Sequence, residues 1–135
     1  MRDFNKVSPS IWASKRFRDL PNPDTQLVYL YHLTNTHRNS AVCYTLPIGY
    51  ACADLPWAVT SSPGVLTVLQ TAQMVRFDEA PDEILIEEWF DTNPPMNLKH
   101  QIGTSRIIDR IKSDELRDAA RAALEAAWSK VEARQ

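Results

Sequence analysis

The segment from Pro47 to Phe90 constrains the fold most, because helix, turn, helix and ribbon signals follow one another without a long interruption. A short helix is predicted over Pro47–Leu55, since proline suits the first helical position, where its missing N–H needs no partner. A second helix is predicted from Ser62, a favoured N-cap residue that a proline follows, to about Ala72. This pre-hairpin helix carries Val and Leu on one side and polar residues on the other.

Two β-prone segments follow the pre-hairpin helix. Met74–Asp78 and Ile84–Ile86 flank the acidic turn Glu79–Glu83, a pattern that predicts an antiparallel hairpin. Two helices joined by a turn and backed by a hairpin form the winged helix-turn-helix arrangement, whose commonest use is binding duplex DNA. We therefore predict a mostly α-helical fold with a small β-hairpin, of the α+β class.

The chain before Pro47 is predicted to supply the remaining elements of this domain. Residues 1–22 are expected to form an extended N-terminal arm. A helix is predicted over residues 25–35, with Asp24 as its N-cap, because Leu and Tyr recur on one face. A short strand is predicted over Val42–Leu46. Four aromatic residues are expected to fill the core among the helices and the hairpin: Trp12, Trp57, Phe77 and Trp89.

The last part of the chain is predicted to be a helical extension. We divide the chain into a winged-helix domain with its arm, residues 1–97, and an extension, residues 98–135. Thr104–Lys112 is predicted to form one or two helical turns, and Ser113 to cap a longer, Ala-rich helix. The apolar stripe of that helix is expected to pack on the domain or, alternatively, on a second copy in a homodimer. The stripe comprises Leu116, Ala120, Ala123, Leu124, Ala127, Trp128 and Val131.

The distribution of charge limits where a nucleic acid can bind. The 135-residue chain has a net charge of −2, which argues against a general polyanion binder. By segment, the balance is +3 over residues 1–40, −7 over residues 41–98 and +2 over residues 99–135. A nucleic-acid surface is therefore expected to use the two ends of the chain. No stretch approaches the roughly 18 apolar residues of a membrane span, and no signal peptide is present, so we expect a cytoplasmic protein without membrane contact.

Residue types that build catalytic and metal sites are sparse. His32, His37 and His100 are scattered, and no His or Cys cluster has metal-ligand spacing. Three glycines are too few for a phosphate-cradling loop. Cys43 and Cys52 are expected to be buried thiols. We therefore predict that the protein is not an enzyme and uses no metal or cofactor.

Several aromatic and proline patterns resemble a known family. They are Ile11-Trp12 with Phe17 and Leu20, Leu30-Tyr-His-Leu-Thr-Asn35, Tyr44-Thr-Leu-Pro-Ile-Gly-Tyr-Ala51, Asp54-Leu-Pro-Trp57 and Trp89-Phe-Asp-Thr-Asn-Pro-Pro95. Over about Lys6–Asn97 the chain resembles the N-terminal winged-helix domain of phage and prophage replication proteins, within the replisome-organiser and primosome group. The resemblance implies a role at a phage replication origin, with origin DNA and replication proteins as partners.

Two features depart from the family pattern. The family usually has a glycine where the pre-hairpin helix meets the hairpin, whereas this chain has Gln73. A glutamine there must adopt a left-handed conformation at some cost or reshape the turn. Relatives often continue into a second domain that contacts the helicase-loading machinery, whereas this sequence stops at Gln135, so the resemblance does not carry the loading function over.

The pre-hairpin helix is the predicted DNA-reading element. Thr67, Gln70 and Thr71 belong to residue types that contact base edges, although such residues also describe an ordinary solvent face. The free amides around Ser61 and Ser62 are placed to bind a phosphate at the helix start. Phosphate neutralisation supplies much of the affinity, so basic residues near the chain ends are candidate contacts. These are Lys15, Arg16, Arg18, Arg38, Lys99 and Arg106, with His37, Arg76 and His100 as further candidates.

The hairpin argues against a wing that grips DNA. Its turn is expected to repel the phosphate backbone, because it carries the carboxylates of Asp78, Glu79, Asp82 and Glu83. The pre-hairpin helix carries no positive charge either. Two alternatives to DNA binding in replication therefore stay open. One is a replisome assembly or oligomerisation module that never touches bases, and the other is a small transcriptional regulator with the same fold.

Overall fold

The computed structural model describes residues 7–35, 43–46, 54–55 and 65–134. This part of the protein is mostly helical and contains a small three-stranded antiparallel sheet, in agreement with the predicted α+β class. A 3₁₀ helix at Pro9–Ala13 comes first. The helices that follow are α1 (Lys15–Arg18), α2 (Pro23–Thr34), α3 (Val65–Thr71), α4 (Trp89–Thr92), α5 (Leu98–Asp109) and α6 (Asp114–Ala133). The strands are β1 (Cys43–Thr45), β2 (Val75–Asp78) and β3 (Glu83–Ile86).

The strand order in the sheet is β1-β3-β2, and both neighbouring pairs are antiparallel. The register places Ile84 of the central strand opposite Tyr44 of β1 and Phe77 of β2. The predicted hairpin is therefore confirmed, although β2 begins one residue later and β3 one residue earlier than expected. β1 lies within the strand predicted at residues 42–46.

Both faces of the sheet are covered, because all four residues of β3 are buried and successive side chains point to opposite faces. On one face, the Tyr44 hydroxyl donates to the carbonyl oxygen of His32 in α2 at 2.8 Å. On the other face, the Glu83 carboxylate accepts the N–H groups of Lys112 and Ser113, just before α6. Since α3 packs on α2 and α6 contacts β1 and β3, the sheet separates α2 and α3 from α6.

The helical extension packs back onto the rest of the chain. Ser113 caps α6 as predicted, because its hydroxyl accepts the N–H of Leu116 at 3.2 Å. α5 packs on α6 and is longer than predicted, since Asn97 caps it by accepting the N–H of His100 at 2.8 Å. Much of the apolar stripe on α6 is buried within the chain itself. The stripe residues that are buried in the common core are Leu116, Ala120, Leu124 and Ala127.

The N-terminal arm is not extended, contrary to the prediction for residues 1–22. Its described part folds into the 3₁₀ helix and α1. Ser14 separates the two, and its hydroxyl caps α1 by accepting the N–H of Phe17 at 3.4 Å. A serine in an N-cap position is a local signal for the start of a helix. The spacing of the apolar residues in the arm favours an extended segment instead, so it conceals this signal.

α2 begins earlier than the sequence pattern predicted, because Asn22 rather than Asp24 is its N-cap. The Asn22 side chain accepts the N–H of Thr25 at 2.9 Å. Pro23 then occupies the first helical position, where the lack of an N–H is harmless. The proline therefore shifts the start of the helix toward the N-terminus.

The expected aromatic core is only partly confirmed. Trp89 is buried and Phe77 is half-buried against the core, as predicted. Trp12 is exposed, which contradicts the prediction, because Phe17 occupies the buried position that the arm offers. The Trp12 ring packs edge-on against Phe17, with 5.8 Å between the ring centroids. Trp57 lies outside the described residues.

The helix predicted over Pro47–Leu55 lies almost wholly outside the described residues. Of that segment the structure describes Asp54 and Leu55. The Tyr31 hydroxyl of α2 donates to the Asp54 carboxylate at 2.7 Å, so this part of the segment lies next to α2. The hydrogen bond and burial raise the pKa of Tyr31 well above its ordinary value, with burial as the larger cause.

Candidate nucleic-acid interface

The outward side of α3 carries the residues that the sequence assigns to base contact. Leu69 is fully buried and anchors the helix in the core, while Val65 and Val68 pack partly against it. Thr67, Gln70 and Thr71 are exposed, as predicted, and all three side chains are polar and uncharged. α3 is therefore two-sided, with an apolar stripe toward α2 and a polar face toward solvent.

The C-terminus of α3 is closed by a Schellman motif. The N–H of Met74 donates to the carbonyl of Leu69 at 3.0 Å, and the N–H of Gln73 donates to the carbonyl of Gln70 at 2.9 Å. Gln73 adopts the left-handed conformation, with φ of 59°. Of the two expected outcomes, a left-handed glutamine or a reshaped turn, the left-handed glutamine is therefore the one observed.

Arg16 stabilises this corner from the N-terminal arm. Its guanidinium donates to the carbonyl oxygens of Ala72, at 3.3 Å, and of Gln73. It also forms an ion pair of 3.0 Å with Glu88, a second residue in the left-handed conformation, with φ of 61°. A phosphate group would have to compete with these three contacts. Arg16, a predicted phosphate ligand, is thus engaged by the protein itself.

α1 and α3 line one groove. Its volume is about 410 Å³, and its walls include Arg16, Asp19 and Leu20 on one side and Thr67 and Thr71 on the other. The structure therefore brings two of the predicted base-contacting residues next to the basic helix α1. This proximity could not be read from the sequence, because the two walls are separated by about fifty residues of chain.

Two further cations of α1, Lys15 and Arg18, are exposed but do not line this groove. Lys15 forms an ion pair with Asp19 at 2.6 Å, and the hydrogen bond and charge of Asp19 raise the pKa of Lys15 above its ordinary value. Both side chains are exposed, so this pair is weak and a phosphate can displace the carboxylate. Arg18 is exposed and forms no ion pair within the part of the chain that the structure describes.

Gln70 turns toward the hairpin rather than toward this groove. Its side-chain oxygen accepts the N–H of Phe77 at 3.3 Å, on the outer edge of β2. Arg76, a further candidate for phosphate contact, forms an ion pair with Glu87. Two shallow grooves beside Gln70 are lined by carboxylates, so this side of α3 disfavours a phosphate backbone. The carboxylates belong to Asp78, Glu79, Glu87, Glu88 and Glu115.

Glu83 does not belong to the acidic hairpin tip, which corrects the prediction for this residue. Its side chain is only 3% exposed, and its carboxylate accepts the N–H groups of Lys112 at 2.9 Å and Ser113 at 2.7 Å. The residue therefore fixes the start of α6 against β3. A charge beside a turn is usually solvated, so no local pattern indicates this anchor.

The other predicted site residues do not join the groove between α1 and α3. Lys99 and Arg106 are exposed on α5, which packs on α6 on the far side of the sheet. His100 is on the same helix, and its Nδ1 accepts the N–H of Met96 at 3.0 Å. The remaining predicted contacts lie outside the described residues: His37, Arg38, Ser61 and Ser62.

The described residues contain no group of three or more His, Cys, Asp or Glu side chains arranged to hold a metal ion. Cys43 is buried in β1, as predicted, and Cys52 lies outside the described residues. None of the described helices combines the length and the apolar composition that crossing a bilayer requires. Comparison with family models, with curated proteins and with solved structures finds no match to this chain.

Proposed function

We propose that this chain is a winged-helix protein that binds duplex DNA during phage or prophage replication initiation. The connectivity supports the fold: α2, β1, α3 and the hairpin follow in this order, and β1 pairs with the second hairpin strand. α3 lies directly before the hairpin, where this arrangement has its recognition helix. The replication role is supported by the aromatic and proline patterns that resemble phage replication proteins.

The observation that carries DNA binding is the groove between α1 and α3. Thr67 and Thr71 present hydroxyl groups that donate to or accept from base edges. Lys15 and Arg18 lie on the neighbouring helix and supply the phosphate contacts. With about two such contacts, log affinity falls against log salt with a slope of roughly −2, so the binding is weak and its salt dependence is modest.

A fluorescence-anisotropy titration with labelled duplex DNA at low and high salt tests this proposal. The double variant Lys15→Ala with Arg18→Ala should weaken binding and reduce the salt slope by about 2. The matched control is Lys130→Ala with Arg134→Ala, which removes the same charge from the exposed end of α6. Equal losses in the two double variants would show non-specific charge attraction, and the proposed site would be wrong.

A second candidate function is a replisome assembly module. It is favoured by the engagement of Arg16 and Arg76 in intramolecular contacts, which leaves few cations near α3. The carboxylates beside Gln70 also favour this candidate over DNA binding. Absence of duplex binding at low salt, together with a stable oligomer in light scattering, would support this candidate over DNA binding.

A further inference from the structure

The outward side of α5 is unusually apolar for an exposed helix. Leu98 and Ile102, one turn apart, are 58% and 41% exposed, and Met96 just before the helix is 75% exposed. These three are most of the large exposed hydrophobic residues in the described structure; the others are Trp12 and Leu27. Clustered apolar side chains rimmed by polar groups mark interaction surfaces more often than isolated ones do.

The rim of this face is basic. Lys99, Arg106 and Arg110 are exposed and lie on the same side of α5 as Leu98 and Ile102, at helical spacing. None of the three forms an ion pair within the described residues. The acidic residue of this helix, Asp109, is bound to Arg121 of α6. Uncompensated positive charge therefore surrounds the apolar side chains, although the whole chain is net acidic.

This face is separate from the groove between α1 and α3. α6 covers the sheet face that carries Glu83, and α5 packs on α6. α2 and α3 lie beyond the opposite face, which carries Tyr44. One DNA duplex seated on α3 therefore leaves the outward side of α5 uncovered.

We propose that the outward side of α5, from Met96 to Arg110, docks an acidic amphipathic segment of a partner protein. Apolar side chains of the partner cover Leu98 and Ile102, and its carboxylates pair with the basic rim. A nucleic acid fits less well, because its phosphate backbone would meet the exposed Met96 and Leu98 side chains. An anionic membrane fits less well, because three cations provide little attraction against the net negative charge of the chain.

Substitution of Gly103 tests the docking face and leaves the fold intact. It lies on the outward side of α5, and a Cβ built there has nothing within 4 Å. Residues larger than glycine are therefore accommodated, and they also favour the helix. A side chain added at this position changes the docking face and no internal contact.

The test uses a fluorescein-labelled synthetic peptide of about 15 residues, with Leu at helical spacing and Glu between, and the same peptide with Lys in place of Glu. We expect the acidic peptide to bind more tightly than the basic one. Gly103→Glu should bind the acidic peptide about tenfold more weakly than Gly103→Lys, since the two differ only in charge on the face. Backbone amide shifts in NMR spectra should change along residues 96–110.

The contribution of apolar contact to peptide binding is tested by substituting two residues of similar exposure. Ile102 is 41% exposed on α5 and Leu27 is 40% exposed on α2, across the sheet. Ile102→Ala should weaken peptide binding about tenfold, whereas Leu27→Ala should leave it unchanged. Equal binding of both peptides, or shifts confined to other residues, overturns the proposal.

Duplex DNA and anionic vesicles serve as competing ligands in the same titration. The proposal is also overturned if either ligand binds more tightly than the acidic peptide and if Gly103→Glu weakens that binding. DNA binding through α3 should be the same in Gly103→Glu and Gly103→Lys. The failure of one site is thus distinguishable from the failure of the other.

Discussion

The guanidinium of Arg16 is hydrogen-bonded to the main-chain carbonyl of Gln73, fifty-seven residues further along the chain. Gln73 is the left-handed residue that ends α3, and its carbonyl and that of Ala72 lie at the negative end of the helix. An arginine from the arm therefore supplies capping donors at this helix end. The arm, α3 and the base of the hairpin are stabilised together.

Arg16→Ala is expected to lower the free energy of unfolding by about 1–2 kcal/mol, because two carbonyls lose a charged donor. The ion pair with Glu88 contributes little to this figure, since both side chains are well exposed. Urea denaturation measures the change. Lys15→Ala is the control one residue away, and it should change stability little because its ion pair with Asp19 is solvated.

Gln73→Gly is expected to raise the free energy of unfolding by about 0.5–1 kcal/mol. Glycine adopts the left-handed conformation without the steric cost that glutamine incurs at φ of 59°. Gln101→Gly is the matched control, because Gln101 lies in the middle of α5, where glycine costs about 1 kcal/mol. Thermal or urea unfolding of both variants should therefore give changes of opposite sign. A loss of stability in both would contradict the strain at Gln73.

The parts of the fold that depend on neighbouring residues could be predicted from the sequence. The sequence predicts the hairpin around Glu79–Glu83 because alternating β-prone residues flank an acidic turn. The cap at Ser113 followed from a serine before an Ala-rich stripe. The exposed face of α3 followed from its helical periodicity.

The parts that depend on distant residues could not be predicted in this way. The contacts of Arg16 with Ala72 and Glu83 with Ser113 join segments that no periodicity relates. The sequence predicts a phosphate contact for Arg16 and an acidic turn position for Glu83, because charged side chains are usually solvated. For the same reason the predicted set of phosphate contacts was spread over two sides of the sheet, with Lys15 on one side and Lys99 on the other.

Glu83→Ala is expected to lower the free energy of unfolding by about 2–4 kcal/mol. The substitution leaves the N–H groups of Lys112 and Ser113 without their acceptor in a buried place. Glu83→Gln should cost less, because an amide oxygen still accepts one of the two. Glu79→Ala, in the exposed turn of the same hairpin, is the control and should change stability little. Similar losses at both positions, measured by urea denaturation, would mean that Glu83 does not anchor α6.

Alkaline pH is expected to destabilise the protein through Tyr29. Burial raises the pKa of Tyr29 above its ordinary value of 10.0; the nearby Arg16 charge lowers it and the Glu88 charge raises it. Below about pH 10 the phenol is neutral in both folded and unfolded chains, so its contribution is fully present. As the pH rises through the unfolded value toward the folded one, the unfolded chain loses its proton first, and stability falls. Urea denaturation at about pH 8 and about pH 11 measures this fall.

Tyr29→Phe should make that fall smaller, since the variant has no proton to lose at this position. Tyr31→Phe separates ionisation from hydrogen bonding, because the pKa of Tyr31 is also raised and its hydroxyl donates to Asp54 at 2.7 Å. It should lower stability already at about pH 8, by the loss of that hydrogen bond, and also reduce the further fall at about pH 11. An unchanged alkaline fall in Tyr29→Phe would show that the Tyr29 phenol is solvated in the folded protein, and its position beside the Arg16 and Glu88 pair would have to be revised.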